Sequence, residues 1–169
     1  PDEFRAFFAY HDALMQKDGG LSKAEREMIV VATSGANDCL YCIVAHGAIL
    51  RIYAKNPLVA DQVAVNYRKA DISSRQRAML AFAMKVAVNS VAIDDADFTT
   101  LSEHGFTDED IWDIGAIAAF FAIGTLTMPL PGFIRMRKSG GGNCCAMRTA
   151  RGRGSKAEVV GIDRHGIPP

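Results

Sequence analysis

Ser22-Lys23-Ala24-Glu25-Arg26-Glu27-Met28-Ile29-Val30-Val31-Ala32-Thr33-Ser34-Gly35-Ala36-Asn37-Asp38-Cys39-Leu40-Tyr41-Cys42-Ile43-Val44-Ala45-His46-Gly47 decides how this chain folds. Ser22 followed three residues later by Glu25 forms a capping box. It opens a helix whose apolar positions include Met28, Ile29, Val31 and Ala32. Gly35 is expected to end that helix. Asn37 and Asp38 then offer capping side chains to a second helix that runs to about Tyr53. So short a link makes the two helices antiparallel neighbours. Cys39, Cys42 and His46 stand at i, i+3 and i+7, one narrow face of the second helix. Cys39 is expected in its first turn, where unpaired N–H groups and the positive dipole end favour a thiolate.

The same punctuation repeats outward from this stretch. Phe4, Phe7, Phe8, Leu14 and Met15 suggest an N-terminal helix. Asn56-Pro57 reads as a cap with proline at the first helical position. Ser73 with Gln76 and Thr107 with Asp110 make further boxes, and Asp94 starts a short helix that stops at Gly105. No segment alternates as a half-buried strand bounded by hairpin turns would. The expectation is an all-α fold, a compact bundle of six or seven helices.

With 169 residues, 49% of them hydrophobic, the chain suffices for one domain with a real core. Its formal net charge is zero, so bulk electrostatics call for neither nucleic acid nor an acidic membrane surface. The zero hides a split. Residues 135–169 carry 8 Lys and Arg against 2 Asp and Glu, together with 7 of the 15 glycines. That composition predicts a helical domain over 1–134 and a basic, disordered tail over 135–169. So abrupt a change is what a shift of reading frame near residue 123 would produce. Ile114 to Ile134 carries no charge over 21 residues, a spanning length, but Pro129, Pro131 and three glycines interrupt it. A core or subunit-interface helix is the better reading. No apolar leader is evident, and a cytoplasmic location is expected. In that compartment a Cys-x-x-Cys is more often catalytic or metal-binding than a structural disulfide.

Three chemistries compete for Cys39 and Cys42. Half of a structural zinc site would take His46 as third ligand, but no fourth is evident. Two inert buried thiols are a second reading. A redox dithiol is the third, favoured by the capped helix start and by an imidazole one turn after Cys42. Glu27 either returns alongside the cysteines on the antiparallel helix or sits on the surface, paired with Arg26 or Lys23. Spacing alone leaves both open. His11 and His104 lack partners at useful spacing, and Trp112 falls in a helix that reads as core.

Glu27, eleven residues, Cys39-x-x-Cys42, three residues and His46 together resemble the AhpD-like alkylhydroperoxidases of the carboxymuconolactone decarboxylase superfamily. Leu21-Ser22-x-x-Glu25-Arg26-Glu27, Asn37-x-Cys39-x-Tyr41-Cys42-x-x-Ala45-His46-Gly47 and Gly105-Phe106-Thr107-Asp108-Glu109 resemble its peroxidase-related branch. The likeness covers roughly Phe4 to Ala122. It implies an all-helical fold and a homo-oligomer (trimer, dimer or hexamer). It also implies thiol-dependent peroxide reduction without a cofactor or metal, using a hydroperoxide substrate and an external dithiol carrier protein. Cys42, Cys39, His46 and Glu27 are the implied catalytic residues. Tyr41 stands where well-studied members have a second relay histidine; a phenol can hydrogen-bond there but carries protons poorly near neutral pH. The alternatives are a general dithiol–disulfide oxidoreductase or redox sensor, a lactone decarboxylase, and a non-enzymatic helical oligomerisation module with a structural metal.

Overall fold

The computed structural model describes residues 2–127, and the side chains of 2–124. Among them are seven α-helices and no strand: α1 Asp2–Gln16, α2 Lys23–Ala36, α3 Leu40–Ala54, α4 Val59–Asn66, α5 Ser74–Asn89, α6 Asp95–Glu103 and α7 Asp108–Thr127. Short 3-10 turns at Tyr67–Lys69 and Ser90–Ala92 follow α4 and α5. The all-α bundle is the expected class. Its helices begin where local side chains satisfy the first orphan N–H groups. Ser22 accepts from the Glu25 N–H, Ser73 from Gln76 and Asp94 from Asp97, each with the reciprocal bond of a capping box. Thr107 and Asp110 do the same for α7.

Helix α2 is the axis of the molecule. Ten consecutive residues, Glu25 to Ser34, are buried, because α3, α7, α5 and α4 all pack against it. The sequence singled out one apolar face; the structure wraps the helix on every side and buries Val30 as well. Gly35 has a different task from the one expected. It does not end α2, which runs to Ala36 with Asn37 as cap. A Cβ at Gly35 would stand 2.9 Å from the Ala64 carbonyl oxygen. The glycine therefore lets α2 and α4 approach closely.

Three other local expectations change. Helix α4 starts at Val59, and the Asn56 side chain accepts from Leu58 N–H to shape the turn before it. Asp38 does not cap α3; it takes a left-handed conformation, φ 52°, and Cys39 itself is the N-cap. Trp112 is 71% exposed, whereas its neighbour Asp113 is buried. Asp113 accepts from Arg26 Nη1 (3.2 Å) and pairs with Lys17 (3.0 Å), tying α7 to α2 and to the segment after α1. Hydrogen bonds from Lys17 to Glu109 first, then Asp113, raise its pKa above the usual lysine value.

Among the described residues, no helix is long and apolar enough to cross a membrane. Helix α7 continues past residue 123 to Thr127. The expected boundary at 134 and the basic tail over 135–169 lie outside the described residues.

Candidate active site

Helices α2 and α3 run side by side as the short link requires, and their packing places Glu27 against His46. The His46 Nδ1–Glu27 Oε2 distance is 2.7 Å. Both residues are buried, at 7% and 6% exposure. A buried carboxylate needs a hydrogen-bonding or charged partner to offset lost hydration, and the imidazole supplies one. A carboxylate can only accept, so Nδ1 carries the hydrogen of this bond. In a neutral imidazole so bonded, Nε2 is the nitrogen with a lone pair to accept a hydrogen. The surface alternative for Glu27 falls away: Arg26 points elsewhere, bonding Leu14 O (2.7 Å) and Asp113.

The two thiols meet at the start of α3. The Cys39 and Cys42 sulfurs are 2.7 Å apart, and both cysteines are buried and not joined in a disulfide. That separation exceeds the bonded length of about 2.05 Å, so the two sulfurs are adjacent but not joined. As N-cap, Cys39 stands just outside the first turn rather than in it, and no side-chain hydrogen bond caps the helix there. Cys42 occupies the third helical position, so both sulfurs lie at the positive end of α3. His46 follows Cys42 by one turn. Both cysteines are buried, Cys39 less deeply than Cys42, at 7% against 2% exposure. Tyr41 is 41% exposed, and five residues of helix put it about 140° away from His46 around α3.

The fold, the buried Glu27–His46 pair and the adjacent thiols can now be set beside known proteins. Residues 1–57 match the sequence model of the carboxymuconolactone decarboxylase family. A crystal structure from Ralstonia eutropha JMP134, described as the alkylhydroperoxidase AhpD core of an uncharacterized peroxidase-related protein, shares 74% identity. The match covers 75% of this chain and 67% of that one, with a TM-score of 0.73. An uncharacterized peroxidase-related protein from Silicibacter sp. TM1040 shares 42% identity over the same proportions, with a TM-score of 0.72. The chain belongs to the AhpD-like branch of the carboxymuconolactone decarboxylase superfamily. No curated protein matches it.

Two surroundings of this AhpD-like site were not read from the sequence. Phe121 of α7 stands against the His46 imidazole, ring centroids 4.9 Å apart and planes at 85°. The only signal for it was membership of an apolar helix. His11, set aside for want of partners, lies 6.0 Å from the same phenyl ring. An apolar cavity of about 600 Å³, bordered by Trp112, Phe82, Phe98 and Ile123, includes none of Glu27, Cys39, Cys42 or His46 in its wall. Nine residues separate Trp112 from Phe121, half a turn off around α7. Trp112 at the cavity and Phe121 at the imidazole thus lie on opposite faces of α7. Among the described residues, no group of three or more His, Cys, Asp or Glu is arranged to hold a metal ion.

Proposed function

We propose that this chain is a thiol-dependent peroxidase that reduces hydroperoxides through a Cys39–Cys42 dithiol/disulfide cycle. The observation that carries the reading is the buried Glu27–His46 hydrogen bond one turn from two adjacent thiols. Family membership supports the peroxidase class, since the structural relatives are described as peroxidase-related. His46, held by Glu27, takes the proton of Cys42 through Nε2. The thiolate attacks the O–O bond of the hydroperoxide and becomes a sulfenic acid. The departing alkoxide takes the proton from His46 and leaves as an alcohol. The Cys39 sulfur then attacks the sulfenic sulfur, expelling water and forming the disulfide. Two thiols and one hydroperoxide thereby give one disulfide, one alcohol and one water. An external dithiol carrier returns the pair to the reduced state by thiol–disulfide exchange, so no bound cofactor is required.

Cys42 is the attacking thiol in this reading because His46 is its i+4 neighbour. The cycle suits a reducing compartment, hence a cytoplasmic setting, and a homo-oligomer as in related proteins. The test is a thiol titration of the reduced protein before and after one equivalent of cumene hydroperoxide. Rapid loss of two thiols, with a disulfide mapped to Cys39–Cys42, is expected. A Cys39→Ser variant should trap a peroxide-dependent sulfenic acid on Cys42, and Cys42→Ser should form none. Unreactive thiols in a folded protein would overturn the proposal. Oxidation by a small disulfide but not by peroxide would assign the chain to general dithiol–disulfide exchange.

A further inference from the structure

We infer that Phe121 is a positioning residue for the reaction proposed above. It fixes the plane of the His46 imidazole and keeps water from the Glu27–His46 bond. The inference rests on that proposal for its kinetic part only. One hydrogen bond at Nδ1 anchors a single atom of the imidazole, and the second side-chain torsion of histidine is broad rather than sharply staggered. Something else must set the ring plane. Phe121 meets the imidazole at 85° and 4.9 Å, the T-shaped arrangement that aromatic quadrupoles favour. The phenyl ring is itself braced. Phe120 packs against it at 5.4 Å and 80°, and Phe7 of α1 stacks on Phe120 at 4.4 Å. His46 therefore lies between a carboxylate from α2 and an aromatic wall that reaches from α7 to α1.

The wall also controls the medium. Phe121 and Phe120 are buried, and so are Glu27 and His46. A hydrogen bond shielded from water is electrostatically stronger than the same bond in water. Removing the ring while keeping its bulk should let the imidazole rock and admit water, with little change to the helix packing.

The experiment compares wild type with Phe121→Leu and Phe121→Met, which keep an apolar side chain but lose the ring. Long-range nitrogen–proton spectra of the imidazoles report the His46 tautomer and the ring-current displacement of its carbon-bound protons. Stopped-flow thiol oxidation against cumene hydroperoxide concentration gives the limiting rate and the half-saturating concentration. Wild type should show displaced His46 protons with the hydrogen on Nδ1. A folded variant should lose that displacement, keep the hydrogen on Nδ1 toward Glu27, and show broadened His46 signals with faster exchange of that hydrogen as the ring rocks and water enters. Its limiting rate should fall roughly 10-fold or more at an unchanged half-saturating concentration. Wild-type His46 signals and limiting rate in either folded variant would overturn the inference. The spectra need no turnover, so an inactive wild type would refute the peroxidase reading while still testing the placement of His46.

Discussion

Arg26 and Glu27 are neighbours on α2 and are both buried, yet they anchor opposite kinds of structure. Arg26 turns toward α7 and the end of α1, where Asp113 and the Leu14 carbonyl receive its guanidinium. Glu27 turns toward α3 and holds an imidazole. The guanidinium bridges a backbone carbonyl of α1 and a carboxylate of α7, so the Arg26 cluster acts as a clamp. The imidazole that Glu27 holds instead stands one turn from two adjacent thiols, the place of the chemistry proposed above. A single step along one helix separates what holds the bundle together from what the bundle holds.

Substitutions can break this contrast, and the largest effect falls on rate. His46→Ala should slow peroxide-driven disulfide formation roughly 10²- to 10⁴-fold, the usual worth of a positioned general base. Stopped-flow thiol oxidation measures it; the unfolding midpoint should fall as well, because the buried Glu27 carboxylate loses its partner. Arg26→Met should act on stability and leave the rate alone. Losing the guanidinium leaves the buried Asp113 carboxylate with Lys17 as its ion-pair partner and frees the Leu14 carbonyl, which should cost about 1–3 kcal/mol in denaturant unfolding. The thiols of the molecules that remain folded should react at the wild-type rate. A large rate loss in folded Arg26→Met would mean the two regions are coupled.

Smaller effects sharpen the comparison. Gly35→Ala forces a methyl group against the Ala64 carbonyl oxygen. It should destabilise the α2–α4 contact by about 1–3 kcal/mol in the same denaturant assay. The smallest effect depends on pH. The Lys85 hydrogen bond, then the Asp94 backbone, depress the Asp97 carboxyl below its ordinary value. A depressed carboxyl stabilises the fold above its ordinary range and loses that contribution as pH falls through the lower native value. Asp97→Asn should therefore lower stability at neutral and alkaline pH, change little below the native carboxyl's range, and so flatten the acid side of the stability curve, as unfolding at a series of pH values would show.

Much of the fold was legible because its signals are local. Ser22 with Glu25, Ser73 with Gln76, and Thr107 with Asp110 satisfy helix N-termini from within four residues, so position in the sequence reveals them. The α2–α3 link was harder. Its conformation turns on a left-handed Asp38, a state that Asp visits more readily than most residues but that its place before Cys39 did not reveal. The thiols and His46 shared a helix face and could be seen together. Glu27 could not be placed, because whether it faced solvent or α3 depended on four helices closing around α2. Phe121 lies seventy-five positions from His46 in an apolar run where every residue looks alike. Only the rotation of α7 distinguishes it from exposed Trp112 on the opposite face.

The most direct test of the division between clamp and chemistry is Glu27→Gln, with disulfide formation under cumene hydroperoxide and the unfolding midpoint measured on the same sample. The account predicts a rate loss of about 100-fold or more, as when the carboxylate that orients a catalytic histidine is neutralised, with the midpoint nearly unchanged. A folded Glu27→Gln protein that oxidises at the wild-type rate would contradict it.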